Sequence, residues 1–214
     1  MMKKLCALAL ALLLAMSLAA CGSGGGNESK PETVVTEFCE ALKALDGEKA
    51  NACLAAPLPE GSFSDEAALP EDIPNAQAIV DQVYSWAAQM TYTLGEVTVD
   101  GETATVPVHI TYVNAADVFT QALSEYFLQA FSLALTGADE EQLTQLMMDL
   151  LKEKMETVST STGEADLTFT CRRIDGQWKI AALSDDQLDV LARLISCGIS
   201  DLAAQLEDAF GQEG

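Results

Sequence analysis

Twice in this chain an Asp-Gly dipeptide stands between two runs of alternating apolar and polar residues, at Asp100-Gly101 and at Asp175-Gly176. Asp-Gly tolerates the positive φ angles of a two-residue type I′ turn, and period-two alternation marks strands with one buried face. The spacing predicts one hairpin over 91–113 and a second over 165–183. With Val99 set opposite Glu102, the apolar face of the first carries Val97, Val99, Ala104, Val106, Val108, Ile110 and Tyr112. The other face carries Tyr92, Leu94, Glu96, Thr105, Pro107, His109 and Thr111. Pro107 lacks an N–H, so its strand needs a free edge or a bulge there. In the second hairpin Leu167, Phe169, Cys171, Trp178 and Ile180 share a face. Two such hairpins commit the chain to an antiparallel sheet.

Helical periodicity supplies the rest. Residues 32–45 open on Pro31 and place Val34, Val35, Phe38, Leu42 and Leu45 on one stripe. Asp46-Gly47 ends that helix, and 48–54 forms a short second one. Residues 55–75 hold Pro57, Pro59, Gly61, Pro70 and Pro74, which predicts a long irregular loop suited to a lid or rim. A third helix over 75–89 buries Ile79, Val83, Trp86 and Met90. Between the hairpins, 117–135 and 139–158 read as an antiparallel helix pair. Ser184 and Gln187 match a capping box opening a last helix, with Gly198 in its middle. Three helices, a hairpin, a helix pair, a hairpin and a final helix make an α+β class: a curved antiparallel sheet packed on N-terminal helices.

Composition narrows the function. Hydrophobic residues are 49% and charged residues 21%, too apolar for a disordered chain. The net charge of −22 opposes nucleic acid and anionic lipid headgroups, so no nucleic-acid partner is expected. Phosphate-binding loops, nucleophile elbows and paired zinc motifs are missing, and one histidine cannot complete a zinc site of the usual kind. No cofactor or metal is expected.

At the N-terminus, Lys3 and Lys4 precede an apolar run over 5–20, too short to span a membrane, and then Leu18-Ala19-Ala20-Cys21 and a Gly/Ser stretch. This arrangement resembles the lipobox of bacterial lipoproteins. The resemblance implies a signal peptide over 1–20, lipidation of Cys21 through its sulfur, a flexible linker over 21–30 and one domain over 31–214. It places the protein on the extracytoplasmic side of the cell membrane, held by lipid.

Within the domain, 32–50 (ETVVTEFCEALKALDGEKA) and 169–181 (FTCRRIDGQWKIA) resemble the first helix and last hairpin of the nuclear transport factor 2-like superfamily. The chain is similar to small lipoproteins of Gram-positive bacteria within it. The resemblance implies a sheet curved around the first helix and a cone-shaped cavity. Some members are isomerases or dehydratases of the ketosteroid isomerase-like kind, but no catalytic motif of theirs is matched here. The helical insertion over 117–158 and the C-terminal helix exceed the minimal fold, and could fill, cover or replace the cavity.

Four groups of candidate residues emerge. His109 is the sole imidazole and the natural general base, set on the face opposite the Val/Ile row. Cys39, Cys53, Cys171 and Cys197 either form two disulfides, Cys39–Cys53 across a helical hairpin and Cys171–Cys197, or remain small buried thiols. Phe119, Tyr126, Phe127 and Phe131 exceed what one amphipathic stripe needs; they suit an apolar ligand or an envelope protein partner, or else simple packing. Cys21 carries the anchor. Three functions remain open: a membrane-tethered binding domain, an isomerase or hydrolase using His109, and a homodimer through the exposed sheet face.

Overall fold

The computed structural model describes residues 30–58 and 75–201. The signal and linker regions, Cys21 among them, lie outside the described residues, as do most of the proline-rich loop and the end of the last predicted helix.

Helix α1, Pro31–Lys43, starts with proline in its first turn and is followed by α2, Gly47–Cys53, whose N-cap Asp46 accepts from the Lys49 N–H. Helix α3 is Ala76–Ala87. Strands β1, Thr91–Leu94, and β2, Thr98–Asp100, both lie along β3, Thr103–Asn114. Helices α4, Ala116–Leu135, and α5, Glu140–Thr157, form the antiparallel pair. Strand β4, Ser161–Ile174, pairs with β3 along its length and with β5, Gln177–Ile180, at its end. Helix α6, Asp185–Ile195, carries the Ser184/Gln187 capping box. The architecture is α+β, with an open antiparallel sheet in the order β1-β3-β4-β5.

The second hairpin follows expectation. Asp175 and Gly176 both have positive φ, 50° and 82°, as a type I′ turn requires, and Ile174 faces Gln177. The first hairpin departs from it twice. Asp100 pairs with Thr103, so the turn residues are Gly101 and Glu102, and only Gly101 has positive φ. That is the pattern of a type II′ turn, centred one residue later than the sequence suggests.

The other departure is a break in the outer strand. Leu94 pairs with Val108 and Thr98 with Thr105, so three residues, 95–97, oppose two. The extra residue is a bulge, and it inverts the alternation upstream. Tyr92 and Leu94 therefore share the inner face with Ile110 and Val108, not the outer face with His109. Pro107 explains the position. Its carbonyl accepts from the Gly95 N–H at 2.8 Å, and the missing N–H points to the same side, so only the bulged neighbour loses a bond.

The core fills the inner face. From the sheet come Val106, Ile110, Phe169, Cys171 and Ile180; from α1 come Val35, Phe38 and Cys39, all almost fully buried. Phe38 and Phe169 meet edge to face at 5.5 Å. Leu191 and Leu194 of α6 close the same core. A second cluster of Trp86, Ala115, Val118 and Cys197 ties α3, α4 and the end of α6 together at the base of the helix pair. Gly198, with φ 85°, stands at a break where α6 ends and helical structure resumes at 199, packed closely on Asn114, and the Cys197 carbonyl accepts from the Ala115 N–H at 2.8 Å.

Candidate functional site

The helix pair leaves the sheet between the end of β3 and the start of β4 and is fixed at its base and middle. Phe119 stacks edge-on against Trp86 at 6.5 Å. Asn75 donates to Asp149 Oδ1 at 2.7 Å, linking α3 to α5. Lys154 reaches across to Glu125 at 2.5 Å, and the Asp139/Gln142 capping box starts α5. Burial then falls along α4 toward its tip. Ala115, Val118 and Ala122 are buried, and Phe119, Leu123 and Tyr126 are partly covered. Beyond them Phe127, Leu128, Phe131 and Leu135 are 58, 75, 69 and 75% exposed.

Two properties set this surface apart. No Asp, Glu, Lys or Arg occurs over 126–138, in a chain holding 33 acidic residues. Just before it, the Glu125 carboxylate is already neutralised by Lys154 and accepts from Gln129. Large apolar side chains stay in water here with no charge among them. A contiguous apolar patch of this kind marks an interaction surface more often than a lone exposed leucine does.

The four aromatic candidates do not act together. Phe119 belongs to the packed base, Tyr126 is partly covered and lies 5.9 Å from Phe127, and Phe127 and Phe131 face solvent. Leu128 and Leu135 complete the patch. Neither leucine is among the candidates that the sequence singles out, although Leu128 adjoins Phe127.

His109 lies on the outer face of the sheet, opposite Thr93 of β1 and Asp166 of β4, turned away from the core. Its Nδ1 is 2.8 Å from Asp166 Oδ1 on the neighbouring strand. The hydrogen bond that the imidazole donates to that carboxylate raises the His109 pKa above its usual value. Both side chains are exposed.

Cys39, Cys53, Cys171 and Cys197 are all free thiols and all buried. Burial is common to both alternatives raised by the sequence, and the four sulfurs are unbonded in this structure. The Cys171–Cys197 bridge also meets a topological obstacle, since Cys171 lies in the main core and Cys197 in the second cluster. Burial pushes Cys39 up to about 12 and Cys171 and Cys197 to about 11, so these thiols are poor nucleophiles.

Between the two clusters, Leu42, Trp86, Met90, Tyr112 and Leu194 border a cleft of about 10 Å³, room for roughly one water molecule. Among the described residues no cluster of three metal-ligating side chains occurs, and no helix is long and apolar enough to cross a membrane.

No protein-family model matches this sequence. No curated protein matches it either. Among solved structures the chain is similar to a Bacillus subtilis protein described as a "putative lipoprotein", at 15% identity and a TM-score of 0.39. The match covers 79% of this chain and 47% of that one, so the chain spans about half the length of the protein it resembles.

Proposed function

We propose that this chain is a lipid-anchored extracytoplasmic protein whose single domain, 31–214, recognises another envelope protein through the apolar face of α4. The observation that carries the reading is the exposed, charge-free surface of Phe127, Leu128, Phe131 and Leu135. Its shape favours a protein over a small ligand, because it is the convex side of a helix, whereas small-molecule sites are concave. Support for the anchor comes from Leu18-Ala19-Ala20-Cys21 behind Lys3, Lys4 and the apolar run. The Gly and Ser content of residues 21–30 suits a linker between anchor and domain. The superfamily resemblance accords with the order of helices and hairpins.

The test uses the full lipidated chain in its own membrane. A photo-crosslinking residue at Leu128 is expected to give discrete protein adducts, while one at Thr170 on the outer sheet face gives none. Adducts of equal yield at both positions, or at neither, refute the recognition surface. Cys21→Ser is expected to release the chain from the membrane or leave it unprocessed; unchanged retention refutes the anchor.

A further inference from the structure

We infer that the protein recognised by α4 is a second copy of this chain, the two α4 helices packing antiparallel about a two-fold axis at Phe131. This deepens, and rests on, the recognition reading above. The first argument is self-complementary spacing. A two-fold interface must present one patch to its own copy. Placing the axis at Phe131 sets Phe131 against Phe131 of the second copy, Phe127 against Leu135, and Leu128 against Ala134. The exposed side chains are thus spaced evenly about one residue, and the large Leu128 meets a small partner. Residues 127, 128, 131, 134 and 135 follow heptad spacing, which places them on one face of the helix.

Charge is the second argument. Two copies each carrying a net charge of −22 repel one another over most of their surfaces. Residues 126–138 carry none, so this is a face on which two acidic copies can approach without setting like charges together. The same feature disfavours a bilayer as occupant. Helices that lie in the membrane interface carry Lys and Arg along their flanks, and α4 has only Asp117 and Glu125.

Area supplies the third. The exposed parts of Phe127, Leu128, Phe131 and Leu135 amount to on the order of 500 Å² per copy, judged from ordinary side-chain sizes. A two-fold pair then buries about 1,000 Å², at the low edge of specific interfaces. Such a dimer is weak in free solution. Tethering both copies to one membrane raises their effective concentration and offsets the modest area.

The experiment combines mass and proximity. The full chain in non-ionic detergent is examined by sedimentation equilibrium, beside Phe131→Glu, which sets two carboxylates together at the axis. Wild type is expected to approach twice the monomer mass as concentration rises. Phe131→Glu is expected to stay monomeric with an unchanged circular dichroism spectrum, because its side chain is largely exposed. In native membranes, Phe131→Cys is expected to form an oxidant-induced dimer and Thr170→Cys none. A wild type monomeric at every concentration overturns the inference, as does a dimeric Phe131→Glu or equal crosslinking at both cysteines. Phe131-dependent flotation of the Cys21→Ser chain on phosphatidylcholine vesicles overturns it in favour of a bilayer. Should wild type be monomeric while Leu128 still crosslinks to a different protein, the dimer falls and recognition stands; should Leu128 crosslink to nothing, both fall.

Discussion

Replacing Gly198 with alanine probes the joint that holds the helix pair to the core. Gly198 has φ 85°, and a Cβ there lies 2.6 Å from Asn114 Oδ1 and 3.0 Å from its Cγ. That Oδ1 accepts from the Ala116 N–H at 3.0 Å, turning the chain from β3 into α4. Two costs follow. A side chain in the left-handed region costs about 1–2 kcal/mol. Displacing Asn114 loses the hydrogen bond that starts α4, worth about 1 kcal/mol. Gly198→Ala should therefore destabilise by about 2–3 kcal/mol. Gly176→Ala is the control: its φ of 82° is nearly the same, but nothing lies within 4 Å of the new Cβ. It should show the backbone cost alone. In an Asn114→Ala background the obstacle is gone, so Gly198→Ala should fall to the same level, giving a coupling of about 1 kcal/mol. Urea unfolding of the Cys21→Ser chain reads all four values from midpoints at constant slope. Equal costs at Gly198 and Gly176, or zero coupling with Asn114, refute the reasoning.

Three further outcomes are expected. Phe38→Ala removes a fully buried ring from its edge contact with Phe169 and should destabilise by about 3–5 kcal/mol in the same assay; a cost below about 2 would mean the core collapses around the gap. The Asp166 carboxylate raises the His109 pKa, so the pair's stabilisation is complete below the unfolded-state value near ~6.5 and is lost as pH rises through the raised folded value. NMR titration of this single imidazole should show the raised value, and Asp166→Asn should bring it down toward ~6.5; an unaltered titration refutes the pairing. With Cys39 pushed up to about 12 and Cys171 and Cys197 to about 11, these thiols should resist alkylation at mildly alkaline pH and react on unfolding. A pair that stays unreactive in the unfolded, unreduced chain, shown by mass spectrometry, would establish a disulfide instead.

The sheet shows how far a sequence can be read and where it stops. The inner faces of β3 and β4 were legible because strict alternation runs through 104–112 and 167–171, and every inward residue there is buried. Tyr92 and Leu94 were assigned to the wrong face although the cause was visible. Pro107 called for a free edge or a bulge in its own strand; the bulge lies in the neighbouring strand at 95–97, and one extra residue reverses every side chain upstream of it. Alternation is a local count, whereas a bulge is a relation between two strands, so the count alone carries no sign of it. Gly95 accommodates the bulge: a Cβ there would stand 3.0 Å from the Pro107 ring, a closeness that glycine permits.

The helix pair fails to be legible for a different reason. Periodicity reports the angle of a side chain around the helix axis, and α4 has apolar residues over so much of its circumference that angle hardly discriminates. What separates Phe119 from Phe131 is distance along the axis. Phe119 stands at the base, where Trp86, Met155 and Val158 can reach it; Phe131 lies about 18 Å farther up, three turns away from the sheet. A domain can cover the root of a projecting helix with its own core, but at the tip, among the described residues, only α5 is alongside, and one helix shields one side. The uncovered side leaves its apolar residues in water, and it is this side that the proposed contact would cover. The excess of aromatic side chains over 117–135 left a contact and simple packing both open, and the fold separates the residues: Phe127 and Phe131, with Leu128 and Leu135, stand exposed, while Phe119 packs against Trp86 and holds the helix in place.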